Sequence, residues 1–192
     1  MNKAALGRLA KDVRSDFGLS EDQPFDPFRW SDENGIPFIS LREFTADEAA
    51  MRRFLEEKPQ VWSAALLRDG RRSLVIYNPE RSNERIRSDL THEVAHFEAE
   101  HDPSPAWTAK DSSCGGTTKD QEKEAAELAG ALLVPQDKAK LAVIRGREAN
   151  FVAAQFSVSV EMAAWRMRMS GGYEIVARSL RKWSPTQKGA RG

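Results

Sequence analysis

Residues 92–96 read His-Glu-Val-Ala-His, and this pentad constrains the local fold more than any other stretch. Two positions four apart on an α-helix differ by about 40° around the axis and about 6 Å along it. Imidazoles at that spacing reach one tetrahedral zinc ion from the same helix face. The pentad therefore calls for a helix, and its surroundings supply one. Ser82 or Asn83 opens the pattern, and Ile86, Leu90, Val94 and Phe97 form its apolar side. Glu93, beside the first histidine, is placed to take the proton of a water whose pKa the metal has lowered.

A catalytic zinc site uses three protein ligands and keeps one position open. His101 follows His96 by five residues, and Ala99 and Asp102 stand where a metzincin has its glycine and third histidine, so that pattern fails. Cys114, the single cysteine, reads as an ordinary free thiol in a Gly-Gly loop and excludes an internal disulfide. The better candidate lies on the next helix, from Thr118 to Leu133, which carries Glu122, Glu124 and Glu127. Glu122 shares a face with Ala125 and Ala129 beside the buried stripe Leu128, Leu132 and Leu133, so it points inward, where a carboxylate needs a partner. Glu124 and Glu127 read as solvated charges. Face geometry prefers Glu122 over Glu124 as third ligand.

The rest of the chain reads as an α+β domain: a small antiparallel sheet packed against several helices. Ala5, Leu9, Val13 and Phe17 mark a helix over residues 3–17. A proline-punctuated segment with Pro24, Pro27 and Asn34-Gly35 leads to a strand-like run at Ile36 to Leu41. Thr45 and Glu48 form a capping box ahead of a second helix with Ala49, Phe54 and Leu55. Val61 to Leu67 and Ser73 to Tyr77 form a hairpin about Asp69-Gly70. Thr118 and Gln121 cap the glutamate-bearing helix and Pro135 stops it. Beyond it the chain is helical, with breaks at Gly146, Ser157 to Ser159 and Gly171-Gly172. The expected division is a core over 1–137 with its N-terminal helix, a helical subdomain over 138–183, and a flexible tail over 184–192. The five tryptophans, Trp62, Trp107 and Trp165 among them, read as core or cleft-rim residues.

Lys plus Arg and Asp plus Glu each total 29 in a chain of 192 residues, which argues against a protein that wraps nucleic acid. The charged N-terminus lacks the apolar core of a signal peptide and no window reaches a membrane span, so the expected location is the cytoplasm.

Three stretches, NPERSNERIRSDLTHEVAH, EKEAAELAGALLVP and FVAAQFSVSVEMAAWRMRMSG, resemble the ImmA/IrrE family of metallopeptidases. The resemblance runs from about Asn34 to Gly171. It implies a zincin-like core with a helical C-terminal subdomain and zinc (or manganese) held by His92, His96 and Glu122. It also implies Glu93 as base of a metallo-endopeptidase, and a helix-turn-helix transcriptional repressor as the protein substrate. Ala126 departs from the family's usual Asn or Asp, which implies weaker support of a metal-bound histidine. Leu128 stands at a usual Phe position, and Ser88 and Thr91 replace bulkier or apolar residues. No ligand is lost.

A rival reading attaches to Phe151 to Met169, which has the outline of a helix-turn-helix with Arg166 and Arg168 on its second helix, as in a DNA-binding regulator. The neutral net charge and the lack of a turn glycine count against it. A metal-binding protein with impaired catalysis is the other alternative. His101, Tyr77 and the arginines are open candidates for stabilising an oxyanion.

Overall fold

The architecture was obtained as a computed structural model describing residues 1–43, 48–69, 72–101 and 119–183. Thr45, the Gly70 turn, Trp107, Cys114, Thr118 and the tail lie outside the described residues. Helix α1 (Lys3–Asp16) starts on Asn2, whose side chain accepts the Ala5 N–H, as an N-cap does. Helix α2 (Pro27–Asn34) follows, inside the proline-punctuated segment. Asp26 caps it, Pro27 fills a first-turn position with no N–H to satisfy, and Gly35 ends it in the left-handed conformation at φ 64°.

Strand β1 (Phe38–Ser40) comes next, then α3 (Glu48–Arg52), a π-turn over Arg53–Glu57 and a 3-10 turn over Pro59–Val61. Strands β2 (Ala64–Asp69) and β3 (Arg72–Tyr77) pair antiparallel, Leu66 opposite Val75 and Asp69 opposite Arg72. The strand at the hairpin's start thus begins three residues later than the apolar run, because Pro59 winds Val61 into the 3-10 turn. The sheet is also mixed rather than antiparallel throughout. Its order is β1-β3-β2, and β1 runs parallel to β3 with Phe38 opposite Val75. The intervening helical turns and β2 carry the chain back across the sheet, which a parallel pairing requires and a hairpin does not.

Helix α4 (Asn83–Glu98) is capped by Ser82, and α5 (Lys119–Leu133) packs on it. Leu6, Ala10 and Val13 of α1, Trp30 of α2, Val94 and Ala95 of α4, and Ala125, Leu128 and Ala129 of α5 form one buried core. Small residues on the facing sides of α4 and α5 let the two backbones approach closely. Ala64, Val75 and Leu90 form a second, smaller cluster that holds the sheet against α4.

Helices α6 (Gln136–Ile144), α7 (Ala149–Phe156), α8 (Val160–Met169) and α9 (Gly172–Trp183) gather a third cluster around Val143, Val152, Phe156, Ala163 and Met167. Ser157 makes the α7–α8 turn at φ 52°, where a glycine is common. Arg166 does not face solvent: it is 1% exposed, donates to the Val134 carbonyl at 3.1 Å and reaches Glu127 at 3.0 Å. Glu127 is therefore a buried pair's carboxylate and not the solvated charge expected. Arg14 plays a matching part at the other end. Buried in the core, it donates to the carbonyls of Leu132, Ser20 and Gln23, so the fork of one guanidinium ties the 20–23 turn to the end of α5.

Candidate metal centre

The helical pitch of α4 brings His92 and His96 to the side facing α5, with ring centroids 4.7 Å apart. Leu90, Val94 and Ala95 have no exposed surface, so burial of that apolar side fixes which way the histidines point. Glu122, in the first turn of α5, meets them. Its Oε2 lies 3.1 Å from His92 Nε2, its Oε1 lies 3.4 Å from His96 Nε2, and the two Nε2 atoms are 3.1 Å apart. His92, His96 and Glu122 thus form a cluster able to hold a divalent ion.

The spacing itself tests the fit. Ligands about 2.05 Å from a tetrahedral zinc stand about 3.3 Å from one another. The two Nε2 atoms stand close to that edge length at 3.1 Å, and each Glu122 oxygen lies beside one of them, Oε2 by His92 and Oε1 by His96. Two imidazole nitrogens and one carboxylate are also a donor set that zinc accepts.

Glu93 lies about 100° round the helix from His92, on the side of the sheet. It is 4% exposed, and its Oε2 accepts the Leu66 N–H of β2 at 3.0 Å. Burial pushes its carboxyl up to about 7, against the opposing pull of the His92 charge and the Leu66 hydrogen bond. The histidines are tuned apart. Burial disfavours a charged His92, but the hydrogen bond to Glu122 and the charges of Glu93, Glu122 and Asp89 outweigh it and raise its pKa. Burial, then the neighbouring His92, brings His96 down to about 4, so its imidazole is neutral, the form a metal binds.

Glu124 faces a different partner. Its Oε2 lies 3.3 Å from His101 Nε2, and its Oε1 accepts from the amino group of Met1. It is half-buried between these two partners rather than the solvated charge expected. His101, set aside as a ligand, is 6% exposed and lies against His96, Nδ1 to Nδ1 at 3.0 Å. Burial, then the Met1 ammonium, lowers its pKa. Sequence spacing gave no sign of this contact, because it depends on how the chain leaves α4. Ala126, one turn beyond Glu122, is exposed and brings no polar side-chain atom to the histidines.

A strand-flanked helix carrying the pentad, with an inward glutamate from the next helix, defines a metallopeptidase-like centre. The family model described as IrrE N-terminal-like domain, a peptidase family, matches residues 42–168, and the chain belongs to that family. No curated protein and no solved structure matches the chain. Among the described residues no helix is long and apolar enough to cross a membrane.

Proposed function

We propose that this protein is a zinc-dependent endopeptidase of the cytoplasm, with the ion held by His92, His96 and Glu122 and with Glu93 as catalytic base. The convergence of two imidazole nitrogens and the Glu122 carboxylate, with separations of 3.1 to 3.4 Å, is the observation that carries the reading. Zinc, or manganese in its place, supplies Lewis acidity there and lowers the pKa of a water toward neutrality. Glu93 takes the proton of the attacking water and passes it to the leaving amide nitrogen. Its burial suits both halves of that task, since burial raises a carboxyl from its ordinary range and so helps it hold the proton between the two transfers.

The substrate chain lies extended along β2. That strand is the sheet edge, and the Leu66 N–H turns outward to Glu93 instead of inward to β3. On the same outward side of β2, Ala64 and Arg68 flank the Leu66 N–H that Glu93 occupies, and they offer backbone groups beside the base for strand addition. Proline at Arg68 removes one outward N–H without touching the β2–β3 ladder. Unchanged cleavage by Arg68→Pro would remove this part of the reading.

The substrate class is a helix-turn-helix transcriptional repressor, whose cleavage relieves repression; the support is the resemblance of the three quoted stretches to ImmA/IrrE sequences. The test is direct. Repressors encoded beside this gene are incubated with the zinc-loaded wild type and with Glu93→Gln, and fragments are identified by mass spectrometry. A discrete cut made by the wild type alone supports the assignment. Equal cutting by both proteins contradicts it.

A further inference from the structure

Helix α4 ends in a turn that aims a third histidine at the centre. Ala99 closes the helix and Glu100 takes the left-handed conformation at φ 53°. The Glu100 N–H then bonds the Phe97 carbonyl at 3.0 Å, and the His101 N–H bonds the His96 carbonyl at 3.1 Å. This pair of bonds is a Schellman turn, usually made by glycine at the left-handed position. Here it folds His101 back over the last turn of α4, so that its ring meets the ring of His96 at 5.1 Å between centroids.

Rings in contact through two like nitrogens must divide the roles of donor and acceptor. His96 turns its Nε2 toward His92 and Glu122, and a neutral imidazole that offers a lone pair at Nε2 carries its hydrogen on Nδ1. That hydrogen faces His101 Nδ1 at 3.0 Å, which must accept it. His101 then carries its own hydrogen on Nε2, and Glu124 Oε2 lies 3.3 Å away to receive it. Each tautomer in the chain requires the next. The carboxylate at its far end is an acceptor only, so the direction cannot reverse while Glu124 is ionised.

We propose that His101 is a positioning residue for the metal centre: it accepts the Nδ1–H of His96, donates to Glu124, and so holds the His96 lone pair toward the ion. The inference rests on the ligand set proposed above. It also gives Glu124 a role distinct from that of Glu122, though both stand on the first two turns of α5. A metal-bound histidine whose other nitrogen is anchored keeps its tautomer and orientation, and loss of such an anchor costs on the order of 10- to 100-fold in metal affinity.

The experiment titrates zinc into the full chain against a chromophoric chelator, with wild type beside His101→Phe, His101→Gln and Glu124→Gln. His101→Phe should weaken zinc binding about 10- to 100-fold. His101→Gln should recover most of the loss, because its amide oxygen still accepts from Nδ1. Glu124→Gln should fall between wild type and His101→Phe. In the same zinc-loaded wild type, nitrogen-15 imidazole spectra should show the hydrogen of His96 on Nδ1 and that of His101 on Nε2. Wild-type affinity in His101→Phe overturns the inference, as does a His96 ring coordinated through Nδ1. If His101→Phe does not fold, the wild-type spectra decide alone. A wild type that takes up no zinc instead removes the ligand set itself, and the inference with it.

Discussion

Glu93 is a buried carboxylate and Glu127 a half-buried one, and their surroundings give them different work. Glu93 accepts a backbone N–H and, among the described residues, has no arginine against it, so burial leaves it easy to protonate. In Glu93→Gln the amide oxygen can still accept from Leu66, so the fold and the metal site persist. Cleavage should fall by a factor of about 10² to 10⁴, measured on any substrate the wild type cuts, with zinc content unchanged. Glu127 instead faces Arg166, whose guanidinium is enclosed. Removing the carboxylate strands a buried cation. Glu127→Ala should lose about 3 kcal/mol in a denaturant titration, and adding Arg166→Met should restore much of it. A loss under about 0.5 kcal/mol, the size expected of a surface pair, would show that the pair is solvated after all.

At the scale of elements, α5 and α8 meet at Gly130. A Cβ there would lie 2.6 Å from Trp165 Cζ3 and 3.0 Å from Arg166 Cδ, so Gly130 is a packing residue and not a flexible one. Gly130→Ala should destabilise by about 1 to 3 kcal/mol, read as a shift in the denaturation midpoint; an unchanged midpoint would mean that Trp165 moves aside without cost. This contact explains why Glu127 was misread as solvated. Periodicity assigns residues to faces of their own helix, and it cannot show that α8 arrives on that face. The same limit hid His101, which reaches His96 through a left-handed Glu100 that sequence propensity does not favour. By contrast α4 was readable in full, since its cap, apolar side and pentad all agree. Helix α2 was readable and overlooked: Asp26-Pro27 followed by Gly35 is a start and a stop signal at eight residues' spacing. The parallel partner of β3 was not, because a three-residue strand carries too little pattern to declare its direction.

Across the whole molecule, the His92–His96–Glu122 cluster lies between α4 and the first turn of α5, and α8 of the helical C-terminal part packs on α5 at Glu127 and Gly130. The apolar core divides near Leu132 and Leu133, with α1, α2, α4 and most of α5 on one side and α6 to α9 on the other. The expected boundary at 137/138 falls inside α6 (Gln136–Ile144), and we propose that the parts on its two sides fold together, joined through Arg166 and Glu127. Circular dichroism and intrinsic tryptophan fluorescence should then report one coincident unfolding transition in wild type and a separation of the two in Glu127→Ala. Coincident curves in both would argue that the joint lies elsewhere. Everything functional depends on one physical claim: that His92, His96 and Glu122 converge to hold an ion. The most direct test is the zinc content of purified protein by elemental mass spectrometry, for wild type, His92→Ala, Glu122→Ala and Glu124→Ala. The account predicts near-stoichiometric zinc in wild type, loss in His92→Ala and Glu122→Ala, and retention with weaker binding in Glu124→Ala. A wild type that stays empty when zinc is supplied, or a Glu122→Ala that stays full, would contradict it.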